Sequence, residues 1–264
     1  IIKNTNEYII YTNRDMDIED YPNTKEYLLL FIDKLKNRSE AKKGILPWFS
    51  LNRNRYQKLF EEPKIIMRQT SDSVRCVYDD SCFYVLDSIL VLKKNADQYC
   101  YKYIATVLNS NLIDYLYKNL TQEEGRTFAQ VKPINVRKLY IPKATVEEQS
   151  LLSILYDYLV FLKNPQQPEP FISLNSMFID LFEKIVDGCV YELFFREHMK
   201  EREIDIINHL YQKIKPINGL SDIDKNNTII SVHSSIFMTD NPVRTRLKFF
   251  VSRSPEFLKP IIQH

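Results

Sequence analysis

Apolar and polar positions along the chain alternate with two different periods, and the switches between them lay out the elements. Three runs rich in Ile, Val, Tyr and Phe predict neighbouring strands: KIIMRQ at 64–69, VRCVY at 74–78 and CFYVLDSILVLK at 82–93. EYIIYT at 7–12 predicts one further short strand. Helical spacing appears first at 23–38, with Asn23 or Thr24 as N-cap and Tyr27, Leu28, Phe31, Ile32 and Leu35 on one face. It returns at 99–120, where Ile104, Val107, Leu108, Leu112 and Tyr115 share a stripe. Residues 145–163 form a third such segment, opened by Thr145 with Glu148 three residues on, the pattern of a capping box. Between these lie a loop over 42–60 with a short helix near its end, and a loop over 121–142 broken by Gly125, Pro133 and Pro142.

The strongest internal break is NPQQPEPF at 164–171, where prolines remove backbone donors and favour extended chain. Beyond it Leu174, Phe178, Leu181, Ile185, Cys189 and Leu193 make a broad helical stripe. REHMKEREIDIINHLYQKI reads as a second helix, followed by a polar loop at 218–228 and a helical region ending near Gln263. The expected fold is therefore α/β in the α+β sense. A small mixed or antiparallel sheet with flanking helices is followed by an α-helical C-terminal region. The expected division is 1–163, a proline-rich linker at 164–172, and a helical part at 173–264.

Composition narrows the class. With 44% hydrophobic and 27% charged residues over 264 positions, the chain is ordinary globular material. No run approaches the length of a membrane span. The first residues, Ile1-Ile2, carry no initiator Met and no signal-peptide pattern, so the chain is expected to be a piece of a longer cytoplasmic protein. Cys76, Cys82, Cys100 and Cys189 form no metal-ligand spacing with the four histidines and read as reduced thiols, mostly packed in the core. Charge is uneven. Between Lys34 and Arg68 ten basic residues face three acidic ones, a net of about +7, whereas 164–264 is nearly neutral.

Catalytic motifs are missing. Four glycines, at 44, 125, 188 and 219, supply no glycine-rich phosphate or S-adenosylmethionine loop, and there is no H-E-x-x-H or G-x-S-x-G. Asp33 with Glu40-Ala41-Lys42 is the nearest match to a metal-dependent nuclease but fits a solvated helix end far better, and Asp79-Asp80 fits a turn between strands better than a metal pair. No catalytic centre is expected. The positive feature is the polar turn at 69–73, flanked by Arg68 and Arg75. Arginine's planar fork matches guanine O6 and N7, Gln and Asn match adenine, and Ser or Thr serve bases or phosphates. Arg53 and Arg55 in FSLNRNRYQKLF, and Arg126 and Gln130 in EEGRTFAQVK, extend the set. Each segment alone also fits a solvated basic loop, and Trp48 fits core packing better than base stacking.

In their order, the segments resemble a known family. YIIYTNRDMDIEDYPNTKEYLLLFIDKLKNR, then WFSLNRNRYQKLFEEPKIIMRQTSDSVRCVYDDSCFYVLDSILVLK, YKYIATVLNSNLIDYLYKN and GRTFAQVKPINVRKLYIPKATVEEQ are similar to the TaqI-like C-terminal specificity domain. This is the target-recognition region of type IIG restriction–modification enzymes and related adenine-N6 DNA methyltransferases, including phage-defence enzymes. The LYIP…EEQ junction also resembles type I specificity subunits, and FIDLFEKIVDGCVYELFF resembles the helical tail of such enzymes. The resemblance implies double-stranded DNA as partner, with Arg68, Ser73 and Arg75 as first contacts, then Arg53, Arg55 and Lys43, then Arg126 and Gln130. It implies that methyl transfer, S-adenosylmethionine and any Mg²⁺ belong to an N-terminal methyltransferase part of the same protein, not to this chain. The rival expectations are a protein–protein interaction module and, more remotely, a metal-dependent nuclease.

Overall fold

The computed structural model describes residues 7–95, 97–121, 129–164 and 172–262. The linker residues 165–171 and the candidate Arg126 lie outside the described residues. Packing divides the chain into two compact units: the chain up to Glu62 with Asp80–Tyr84, and Pro63–Asp79 with the chain from Val85 onward.

The first unit is built from short pieces: α1 (Pro22–Leu29), α2 (Ile32–Lys36), α3 (Ser39–Lys42) and α4 (Lys58–Glu61). The single helix expected over 23–38 is interrupted at Leu30 and Phe31, where Phe31 leaves helical geometry at φ −118°, ψ 17°. Its cap also differs. Pro22 occupies the first helical turn, so Tyr21 rather than Asn23 or Thr24 is the cap. The apolar stripe assigned to this segment is not buried: α1 contains no buried residue, so little tertiary packing holds one long helix together. The strand expected at 7–12 is likewise absent. That stretch is tied by side chains instead, the Tyr11 hydroxyl donating to the Arg55 carbonyl and the Thr12 hydroxyl to the Phe49 carbonyl at 2.6 Å. The rings of Tyr11, Phe60 and Tyr84 form a small cluster, with Phe60 stacked on Tyr84 at 4.7 Å.

The second unit holds a three-stranded antiparallel sheet of order β2-β1-β3: β1 (Lys64–Arg68), β2 (Cys76–Asp79) and β3 (Ile89–Leu92). Ile66 of the central strand stands opposite Val77 on one side and Val91 on the other. The third strand is much shorter than the expected 82–93. Cys82 takes a left-handed φ of 58°, which ends extended pairing, and Asp80–Tyr84 pack with the first unit. Alternation along β1 sends Ile65 and Met67 into the apolar core.

That core is layered. The sheet packs on α5 (Tyr101–Leu108), α5 on α8 (Val146–Leu162), and α8 on α9 (Ile172–Phe194). Around them lie α6 (Asn111–Thr121), α7 (Pro133–Val136), α10 (Arg196–Glu201), α11 (Ile207–Leu210), α12 (Asp222–Phe237), α13 (Pro242–Arg253) and α14 (Leu258–Ile262). Buried apolar side chains from Ile65 to Ile261 form one cluster, so the C-terminal helices share the core of the sheet. The expected capping box is present: the Glu148 amide donates to Thr145 Oγ1 at 3.3 Å and the Thr145 amide to Glu148 Oε2 at 2.8 Å. The segment 99–120 is two helices rather than one, parted at Asn109-Ser110, and 196–214 is likewise broken, at Glu203 with φ 54°. Helix α12 begins inside the expected loop, on Ser221, whose hydroxyl accepts from the Asp224 amide. Of the cysteines, Cys189 is buried, but Cys82 and Cys100 are exposed, which corrects the expectation of mostly core thiols. Among the described residues no helix is long and apolar enough to cross a membrane.

Candidate nucleic-acid interface

The polar turn after β1 is fixed from both sides by main-chain bonds. The Arg68 amide donates to the Arg75 carbonyl at 3.1 Å, closing the neck of the turn. The Gln69 amide donates to the Ser88 carbonyl at 3.0 Å, and the Gln69 carbonyl accepts from the Val131 amide at 2.8 Å. Inside the turn the Ser73 amide donates to Ser71 Oγ at 3.2 Å. Ser73 is buried, so of the first candidates it shapes the turn while Arg68 and Arg75 reach solvent.

A β-bridge pairs Thr70 with Gln130, which brings the third candidate segment to the tip of the first. Ala129 and Val131 are buried while Gln130 and Lys132 are exposed, as strand-like alternation requires. Arg68, Thr70, Arg75 and Gln130 thus form one exposed polar end of the sheet.

Helix α6 organises this end. Asp114 and Tyr117 lie three residues apart, so both project from one side. The Asp114 carboxylate forms an ion pair with Arg75 Nη2 at 3.6 Å and another with Lys118 Nζ at 3.5 Å. The Tyr117 hydroxyl, fully buried, accepts from the Lys132 amide at 3.2 Å, beside Gln130. The start of α6 is held in turn by α9. Asp187 Oδ1 accepts from the Asn111 amide at 2.8 Å and Oδ2 from Asn111 Nδ2 at 2.7 Å. Burial pushes the Asp187 carboxyl up to about 7, against the lowering pull of the Asn111 amide bond.

The break between α5 and α6 supplies a further brace. Asn109, the C-cap of α5, accepts from the Cys76 amide at 2.9 Å and donates to the Cys76 carbonyl at 2.8 Å. Its amide mimics a neighbouring strand and fixes the residue directly after Arg75. Two edge groups are handled similarly. The Tyr78 amide donates to the Tyr156 hydroxyl at 2.8 Å, and Lys64 pairs with Asp79 in full burial across β1 and β2. Lys64 therefore drops out of the basic run read from the sequence.

The second group of candidates belongs to the other unit. Lys43 is exposed at the end of α3, just before Gly44 in a left-handed turn at φ 68°. Arg53 is exposed in a turn and Arg55 half-buried, its carbonyl taken by Tyr11. Asn52 Nδ2 donates to Glu40 Oε2 at 2.8 Å, joining that turn to α3. Arg38 is a brace, with Nη2 on the Trp48 and Ser50 carbonyls at 2.7 and 2.8 Å. No group of three His, Cys, Asp or Glu side chains suited to a metal ion occurs among the described residues.

Sequence reasoning names the arginines and Gln130 but not Asn109, Asp114 and Asp187, whose contacts brace the elements that carry them. The available signal was Asn109-Ser110-Asn111, three residues that favour caps over helix interiors, set in the middle of an apparent helix. Comparison with known families adds one finding: the model of the TaqI-like C-terminal specificity domain matches residues 2–141. No curated protein matches the chain.

Proposed function

Because the chain belongs to the TaqI-like C-terminal specificity domain family, we propose that it holds duplex DNA and selects a short sequence within it. In this reading catalysis lies in another part of the protein, a site-specific adenine-N6 methyltransferase of the type IIG restriction–modification kind or a relative. That part would act on an extruded adenine while this chain keeps register. The observation that carries the reading is the sheet end bearing Arg68, Thr70, Arg75 and Gln130 on a backbone fixed by buried partners. Base reading needs side chains placed to within a fraction of an ångström, and a fixed mount provides that.

The division of labour follows from the two settings. Arg68, Arg75 and Gln130 face base edges, Ser73 keeps the turn in shape, and Lys43, Arg53 and Arg55 hold phosphates. Residues 173–264 serve as the helical support of a recognition part spanning 1–163. The test is selection of bound sequences from random duplexes, followed by titration across salt concentrations. Enrichment of one motif, lost in Arg68→Ala or Arg75→Ala, is the expected result. Salt-sensitive binding that enriches nothing would reduce the function to a phosphate grip. An absence of binding at low salt would favour a surface for protein partners instead.

A further inference from the structure

Arg75 and Arg53 are both exposed arginines, and among the described residues Arg75 is the one of the two with a carboxylate at its guanidinium. Asp114 Oδ2 lies 3.6 Å from Arg75 Nη2, while Arg75 Nη1 donates to the Val74 carbonyl at 3.0 Å. Two corners of the guanidinium are thereby engaged, and its side chain still keeps about half its surface open, at 52%. The Arg75 charge is also felt by the Asp187 carboxyl. Acidic groups beside a basic side chain repel an approaching phosphate. A phosphate anchor gains nothing from such neighbours. A base reader gains two things: its planar fork is held in one orientation, and the carboxylate offsets part of its charge, which weakens attraction to a backbone anion more than hydrogen bonding to a neutral acceptor pair.

Resting on the DNA-recognition reading above, we infer that Arg75 reads a guanine through O6 and N7, and that Asp114 is the positioning residue that orients its fork. The scaffold behind Asp114 is continuous. Asp187 of α9 caps Asn111 at the start of α6, α6 carries Asp114, and Asn109 fixes the backbone of Cys76 next to Arg75. Asp114 Oδ1 is buried without a hydrogen-bond partner among the described residues, so placing the carboxylate here carries some cost to folding. That cost is intelligible if the group's task is to aim Arg75.

The experiment uses the full chain and the duplex it enriches most strongly from a random pool. Each guanine of that duplex is replaced in turn by 7-deazaguanine, which lacks N7 and leaves Watson–Crick pairing intact. One replacement is expected to weaken wild-type binding by about 10-fold. Arg75→Lys, which keeps the charge and loses the fork, is expected to be indifferent to that replacement and to keep its salt dependence. Asp114→Asn is expected to lose most of the preference for that guanine while its average affinity for random duplex holds or rises. The inference is overturned if an enriched motif contains no guanine whose N7 matters to wild type and not to Arg75→Lys. It is equally overturned if Asp114→Asn melts like wild type and keeps full discrimination. Should Asp114→Asn fail to fold, the Arg75→Lys comparison decides alone. Failure of wild type to enrich any motif removes the recognition reading itself, and this inference with it.

Discussion

Lys64 and Lys43 come from the same basic run, and the fold treats them in opposite ways. Lys64 is fully buried against Asp79 inside the sheet, whereas Lys43 stands in solvent at a helix end. The contrast extends to the units that hold them. Around the sheet, side chains such as Asn109, Tyr117, Tyr156 and Asp187 secure backbone groups near the exposed arginines. In the unit before Glu62, α1 to α3 bury no residue, and large apolar groups such as Tyr8 and Leu30 remain exposed. Like side chains are thus offered with different precision. A rigid mount suits discrimination between bases, and a loosely packed basic surface suits attraction to a uniform backbone.

The largest expected effect breaks the rigid side of the comparison. Lys64→Ala takes from the buried Asp79 carboxylate its ion-pair partner and is expected to cost about 3–5 kcal/mol in urea unfolding, while Lys43→Ala stays within about 0.5 kcal/mol. Equal losses would mean that the buried pair is not what secures the sheet edge. Next comes Asn109→Ala, which strips partners from both the amide and the carbonyl of Cys76. A loss of about 1–3 kcal/mol is expected, together with weaker sequence preference in the duplex selection. Unchanged preference would separate the brace from recognition.

The third prediction concerns pH. Asp187 has its folded-state value raised to about 7, above its ordinary value of 3.8. The folded state therefore holds a proton that the unfolded state has released, and stability falls as pH rises through the window from about 4 to 7. Each pH unit inside that window removes up to about 1.4 kcal/mol, and the contribution is level above it. Asp187→Asn is expected to flatten this slope, read as chemical denaturation at pH 5 and pH 8 for both proteins. Parallel curves would count against it. The smallest effect sharpens the loose side: Arg53→Ala is expected to leave stability within about 0.5 kcal/mol and sequence preference intact. It should reduce the salt slope of DNA binding by about 1.

The sequence makes some of this legible and hides the rest for identifiable reasons. The capping box at Thr145 and Glu148 was readable because its partners sit three residues apart. The strand Lys64–Arg68 and the polar turn after it were readable because period-2 alternation and turn chemistry are local signals. The strand expected at 7–12 failed because β propensity says nothing about a partner strand, and here side chains took over the pairing. The segments 23–38 and 99–120 each read as one helix because apolar spacing continues across the breaks between Leu29 and Ile32 and between Leu108 and Asn111. The contacts of Asp114 and Asp187 have no local signature in the sequence. Asp187 reaches Asn111 across 76 positions of chain, a distance at which local pattern carries no information.

The turn at 69–73 is clasped at its base by the Arg68–Arg75 bond and flanked by Ser88 and Val131. The bonds that set its course run through main-chain atoms, with Ser71 and Ser73 as internal struts. The path of the turn is consequently set apart from the side chains of Gln69, Thr70 and Asp72, which can be exchanged singly while the clasp that shapes it stays in place.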